Sequence, residues 1–91
     1  MERIRCTVHG RVQGVGFRYW TQKKATSLGL SGWVKNCSDG TVQLEATGLE
    51  EQLSDLVEAL NEGPLFSKVT QVDCKRLQSS GATENEFLIN D

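Results

Sequence analysis

The stretch Ser31-Gly32-Trp33-Val34-Lys35-Asn36-Cys37-Ser38-Asp39-Gly40-Thr41-Val42-Gln43-Leu44-Glu45-Ala46 reads as two strands joined by a tight turn. Residues 31–37 form the first arm. In the second, Val42, Leu44 and Ala46 alternate with Thr41, Gln43 and Glu45, the period of two expected when one face of a strand is buried. Ser38-Asp39-Gly40 supplies the hairpin turn, in which Gly40 can take a positive φ. The flanks of this hairpin decide the fold, because both read as helix. Upstream, Phe17, Trp20, Thr21, Ala25 and Leu28 share one face of a helix over 17–28, with Gly29 as a left-handed C-cap and Leu30 as its hydrophobic contact. Downstream, Thr47-Gly48-Leu49-Glu50 has capping-box spacing and opens a helix in which Leu53, Leu56, Val57 and Leu60 recur at i, i+3, i+4 and i+7. Acidic residues crowd its N-terminal half, where the helix dipole favours them, and Gly63-Pro64 ends it.

Further out, Ile4, Cys6 and Val8 alternate with Arg3, Arg5, Thr7 and His9 as a first strand. Residues 69–77 read as a fourth strand, 79–83 as a loop, and Phe87-Leu88-Ile89 as a short last strand. The order β-α-β-β-α-β plus a terminal strand predicts an α+β protein. The expected architecture is a ferredoxin-like split β-α-β sandwich, with two helices on one face of a mainly antiparallel sheet. A single domain spanning 1–91 is expected, since no Pro/Gly/Ser tract, repeat or low-complexity run marks a linker. The fold hosts enzymes, RNA binders and metal carriers alike, so function has to come from a site.

Formal net charge is −2, unevenly spread. Arg3, Arg5, Arg11, Arg18, Lys23 and Lys24 lie in the first 24 residues against Glu2 alone, while 45–62 is acidic throughout. That split is compatible with a local anion site and suits no nucleic-acid or membrane footprint, although on charge alone two solvated faces explain it better. The three cysteines are widely separated, with no CxxC, and His9 is the only histidine, which argues against zinc. No apolar segment near the start resembles a signal peptide, so a cytoplasmic protein with reduced thiols is expected.

The loop Gly10-Arg11-Val12-Gln13-Gly14-Val15-Gly16, running into Phe17-Arg18-Tyr19-Trp20, carries glycines just before a helix N-terminus. Gly14 and Gly16 permit successive backbone N–H groups to point into one concavity, backed by the helix dipole, and Arg18 adds a planar fork matched to phosphate oxygens. The dinucleotide pattern fails at Tyr19, and no Gly-Lys-Ser/Thr triplet exists for a P-loop. On spacing alone the loop is either a phosphate cradle or a glycine-rich turn with a solvent-facing Arg. Asn36 alone reads as a strand-end residue bonding the hairpin turn.

Val12-Gln13-Gly14-Val15-Gly16-Phe17-Arg18 resembles the first signature of the acylphosphatase family. The stretch from Gly32 to Val42, followed by Gly48, resembles the second. The similarity extends through Leu28-Gly29-Leu30 and Gly63-Pro64 and is weakest from Gln78 onward. It implies hydrolysis of acyl phosphates to a carboxylate and inorganic phosphate, without cofactor or metal. It further implies phosphate binding by Gln13, Gly14, Val15, Gly16, Phe17 and Arg18, with Arg18 and Asn36 catalytic and Asn36 positioning the attacking water. A monomer acting on a small molecule is expected, with no nucleic-acid or membrane partner. An RRM-type RNA binder would need aromatics on its central strands, and the first and third strands have none. An acylphosphatase-like domain of a larger carbamoyl-transfer protein would continue into further segments, so a standalone enzyme is expected.

Overall fold

The computed structural model describes residues 1–78 and 85–90; the loop expected over 79–83 lies outside the described residues. The elements run β1 (Glu2–Arg11), α1 (Phe17–Ser27), β2 (Ser31–Asn36), β3 (Val42–Gly48), α2 (Glu50–Glu62), β4 (Lys68–Leu77) and β5 (Phe87–Asn90). The five strands form one sheet in the order β4-β1-β3-β2-β5. Every neighbouring pair is antiparallel except β2 and β5, which are parallel. This is the α+β sandwich expected.

The alternation on each strand builds the core. Ile4, Cys6 and Val8 of β1, Val34 of β2, and Val42, Leu44 and Ala46 of β3 are buried on one face of the sheet. Phe17, Thr21 and Ala25 of α1 and Leu53, Leu56 and Leu60 of α2 close over them. α1 packs on β2 and β5, and α2 on β4 and β3. Each fully buried Leu or Phe contributes roughly 1.5–3 kcal/mol relative to exposure, so this layer is the main source of stability in so short a chain.

Three features differ from the sequence expectations. First, Thr47 does not cap α2. It pairs with Arg3 on one side and Ser31 on the other, so the sheet retains it through Gly48. The helix starts instead from Leu49, whose N–H donates to Gln52 Oε1 at 2.9 Å, so one half of a capping box survives with Gln52 as its acceptor. Second, Cys6 and Cys74 are not reduced thiols but a disulfide. The β1–β4 register places them directly opposite each other, Cys6 buried and Cys74 at the exposed edge strand. Third, the outer face of the sheet buries a charge. Glu45 is 5% exposed, held by Arg3 Nε at 3.1 Å and Arg5 Nε at 2.9 Å, with each Arg also engaging it through Nη2. Burial alone would push this carboxyl up. The hydrogen bonds and charges of Arg5 and Arg3 outweigh that and hold it below the usual carboxylate range.

Register also fixes where chain ends meet. Val8 and Asn36 both pair with Val42, Arg11 pairs with Lys68, and Lys35 pairs with Asn90. The end of β1, the end of β2, the start of β3 and the end of β5 therefore share one edge of the sheet, and α1 begins at that same edge.

Candidate active site

The loop from β1 to α1 turns twice through left-handed glycines, Gly14 at φ 75° and Gly16 at φ 78°. A Cβ at either position would meet nothing within 4 Å, so backbone conformation, not space, requires glycine there. Gly16 is the N-cap of α1 and offers no side chain to it, and no acidic residue lies in the first turn. In α2, by contrast, Glu50 and Glu51 occupy that turn. The N–H groups of Gly14, Val15, Gly16 and Phe17 have no hydrogen-bond acceptor among the described residues, and the chain next re-enters its ladder with Trp20 N–H to Gly16 O at 3.0 Å. A helix N-terminus left open in this way favours an anion.

A cleft of about 190 Å³ opens at this point, lined by Val12, Gly14, Gly16, Phe17, Arg18, Tyr19, Asn36 and Ile89. It thus brings Gly14, Gly16, Phe17 and Arg18 together with Asn36. Gln13 and Val15 are not on its lining. Val15 packs against the core, and the side chain of Gln13 crosses to the hairpin, donating to Cys37 O at 2.7 Å and Thr41 O at 2.9 Å. Gln13 therefore does the work that Asn36 would do as a turn-bonding residue. The turn is completed by Asp39, which accepts from Thr41 N–H at 3.0 Å and from the Thr41 hydroxyl at 2.6 Å. Those bonds, the hydroxyl first, hold the Asp39 carboxyl below its ordinary range. Asn36 is half-buried, and its carboxamide has no hydrogen-bond partner among the described residues.

Among the described residues no Asp, Glu or His lines the cleft. Among the described residues, no three His, Cys, Asp or Glu side chains lie close enough together to hold a metal ion, and no helix is long and apolar enough to cross a membrane. Val12, Tyr19 and Ile89 are the lining residues that sequence reasoning did not assign to the site. Ile89 reaches the cleft only through the parallel pairing of β5 with β2, which no local pattern announces.

An open helix N-terminus, a guanidinium and an unpartnered carboxamide thus line one small cleft on a ferredoxin-like sandwich, a donor set whose chemistry suits an anion. The acylphosphatase family model matches residues 4–89. An acylphosphatase from Bacillus licheniformis is 53% identical over 72 residues, which is 79% of this chain and 80% of its own length. Another from Oleidesulfovibrio alaskensis is 77% identical over 48 residues, 53% of this chain and 71% of its own. The crystal structure of acylphosphatase from Bacillus subtilis superposes with a TM-score of 0.95 at 44% identity over 100% of both chains. The chain belongs to the acylphosphatase family, hydrolases that cleave the mixed anhydride between a carboxylate and phosphate.

Proposed function

We propose that catalysis proceeds by clamping the phosphoryl group between the open N–H groups of Gly14 to Phe17 and the Arg18 guanidinium, with Asn36 orienting the attacking water. The observation that carries this reading is the convergence of these groups on one cleft from two separate elements. Backbone N–H groups are fixed by the fold and need little reorganisation when substrate arrives, which makes such donors effective against developing charge on the equatorial oxygens. Water attacks phosphorus, the bond from phosphorus to the bridging oxygen breaks, and the carboxylate leaves with that electron pair. A carboxylate of low pKa needs no general acid. With no carboxylate or imidazole in the cleft among the described residues, the proton of the water passes to the substrate's own phosphoryl oxygen or to the departing carboxylate. Among the described residues no carboxylate lines the cleft and no three His, Cys, Asp or Glu side chains cluster, so turnover is read as metal-independent.

The test is phosphate release from benzoyl phosphate together with a phosphate titration, on folded variants. Arg18→Ala should lose turnover and phosphate affinity together, and Arg18→Lys should also fail, because it keeps charge without the fork. Asn36→Ala should reduce kcat by roughly 10²–10³ while phosphate still binds. EDTA should leave the wild-type rate unchanged. Normal turnover in either Ala variant, or loss in EDTA restored by Mg²⁺ or Zn²⁺, would overturn the mechanism.

A further inference from the structure

The polar lining of the cleft comes from the β1–α1 loop, the first turn of α1 and the end of β2. The apolar members of the cleft are the buried Val12 and Phe17 and the exposed Tyr19 and Ile89, the last two from the start of α1 and from the outermost strand. Ile89 pairs with Val34, which faces the core, so by alternation it stands on the helix side of the sheet with Phe87. Phe87 is 3% exposed there, whereas Ile89 is 37% exposed, left uncovered where the cleft opens. Tyr19 is 60% exposed, and the ammonium of Lys23, one turn further along α1, lies 5.5 Å from its ring centroid and restrains it. A single exposed apolar residue needs no explanation. Two from different elements on the rim of an anion cradle do, because any phosphoryl compound seated in the cradle must lay its remaining part across that rim.

We infer that Tyr19 and Ile89 form the subsite for the acyl group and make the chain selective for acyl phosphates whose acyl part is flat and apolar, an aromatic acyl group above all, over small ones such as acetyl. The inference rests on the phosphoryl clamp proposed above and adds the substrate class. A tyrosine ring offers stacking area at little entropic cost, and a branched aliphatic residue beside it closes the contact.

The experiment compares kcat/KM for benzoyl phosphate and acetyl phosphate in the wild type, Tyr19→Ala, Tyr19→Phe and Ile89→Ser. Intrinsic reactivity of the two anhydrides cancels when the benzoyl-to-acetyl ratio is compared between variants. Both positions are exposed, so the variants should fold, and thermal melts verify this. The ratio should fall roughly tenfold in Tyr19→Ala, the scale for losing one apolar contact, fall severalfold in Ile89→Ser, and persist in Tyr19→Phe. A ratio unchanged in Tyr19→Ala and Ile89→Ser, with turnover retained, overturns the subsite and leaves the hydrolase mechanism standing. A wild-type chain that releases phosphate from neither anhydride removes that mechanism and the subsite with it.

Discussion

Opening the Cys6–Cys74 disulfide should cost this protein a large part of its stability. The bond joins positions 68 residues apart, so it closes most of the chain into one loop. In the chain-entropy treatment a loop of that length restrains the unfolded state by about 4 kcal/mol at 25 °C. Total stability for a domain of this size is only about 5–15 kcal/mol, and 4 kcal/mol corresponds to a fall in Tm of roughly 20 °C. The assay is a thermal melt with and without dithiothreitol, supported by thiol counting in the denatured, unreduced chain. One reactive thiol should be found, that of Cys37, and three after reduction. Cys74→Ser is the better variant, because Cys74 lies at the exposed edge, whereas truncating the buried Cys6 would add a packing defect. Phosphate release should survive, since neither cysteine lines the cleft. Three reactive thiols without reductant, or oxidised and reduced forms melting within a few degrees of each other, would refute the reasoning.

Glu45→Gln should destabilise the fold by about 2 kcal/mol at pH 7, since the charge-assisted bonds from Arg3 and Arg5 would meet a neutral amide. Because the folded-state pKa of Glu45 is lowered, its contribution is fully present above about pH 4.5, the unfolded range, and fades as pH falls through the lowered value. Urea melts of wild type and Glu45→Gln should therefore converge in acid, and a gap that stays constant down to about pH 2 would contradict the assignment. Gln13→Ala should lower stability by about 1 kcal/mol, because the carbonyls of Cys37 and Thr41 each lose one of the two hydrogen bonds they accept, and should reduce kcat for benzoyl phosphate more than it raises KM. Equal activity in that variant would mean that Asn36 is held in place by other means.

Most of the architecture was legible because it rests on local periodicity. Phe17, Thr21 and Ala25 at helical spacing and Ile4, Cys6 and Val8 at strand spacing are buried as their patterns require. Gly29 takes φ 78° at the end of α1 and Leu30 is buried behind it, as a C-cap glycine with a hydrophobic contact predicts. Thr47 misled because its local capping signal competes with two strand neighbours, and the sheet wins. The Cys6–Cys74 bond was illegible because β1 and β4 are joined only in tertiary structure, and composition argued for thiols. Within the site, Gly14, Gly16 and Arg18 announced themselves by their place before a helix. From its own local pattern Asn36 reads only as a turn residue, and its expected role comes from the family resemblance. The structure frees it for that role because Gln13 bonds the turn; Ile89 joins the cleft only because β5 lies beside β2.

The bonds from Gln13 to the hairpin carbonyls also bear on which sequence changes the molecule can accept. They strap the loop that carries Gly14 and Gly16 to the turn whose first flank is Asn36, so the two halves of the cleft are tied to each other directly. Inserting or deleting a single residue among 38–40 would shift the carbonyls of Cys37 and Thr41 out of reach of one fixed-length side chain, even though an exposed turn ordinarily tolerates such changes. Turn length and the identity of residue 13 are therefore a joint character, free to drift together but not separately, and a graft of either motif into another scaffold would have to carry its counterpart.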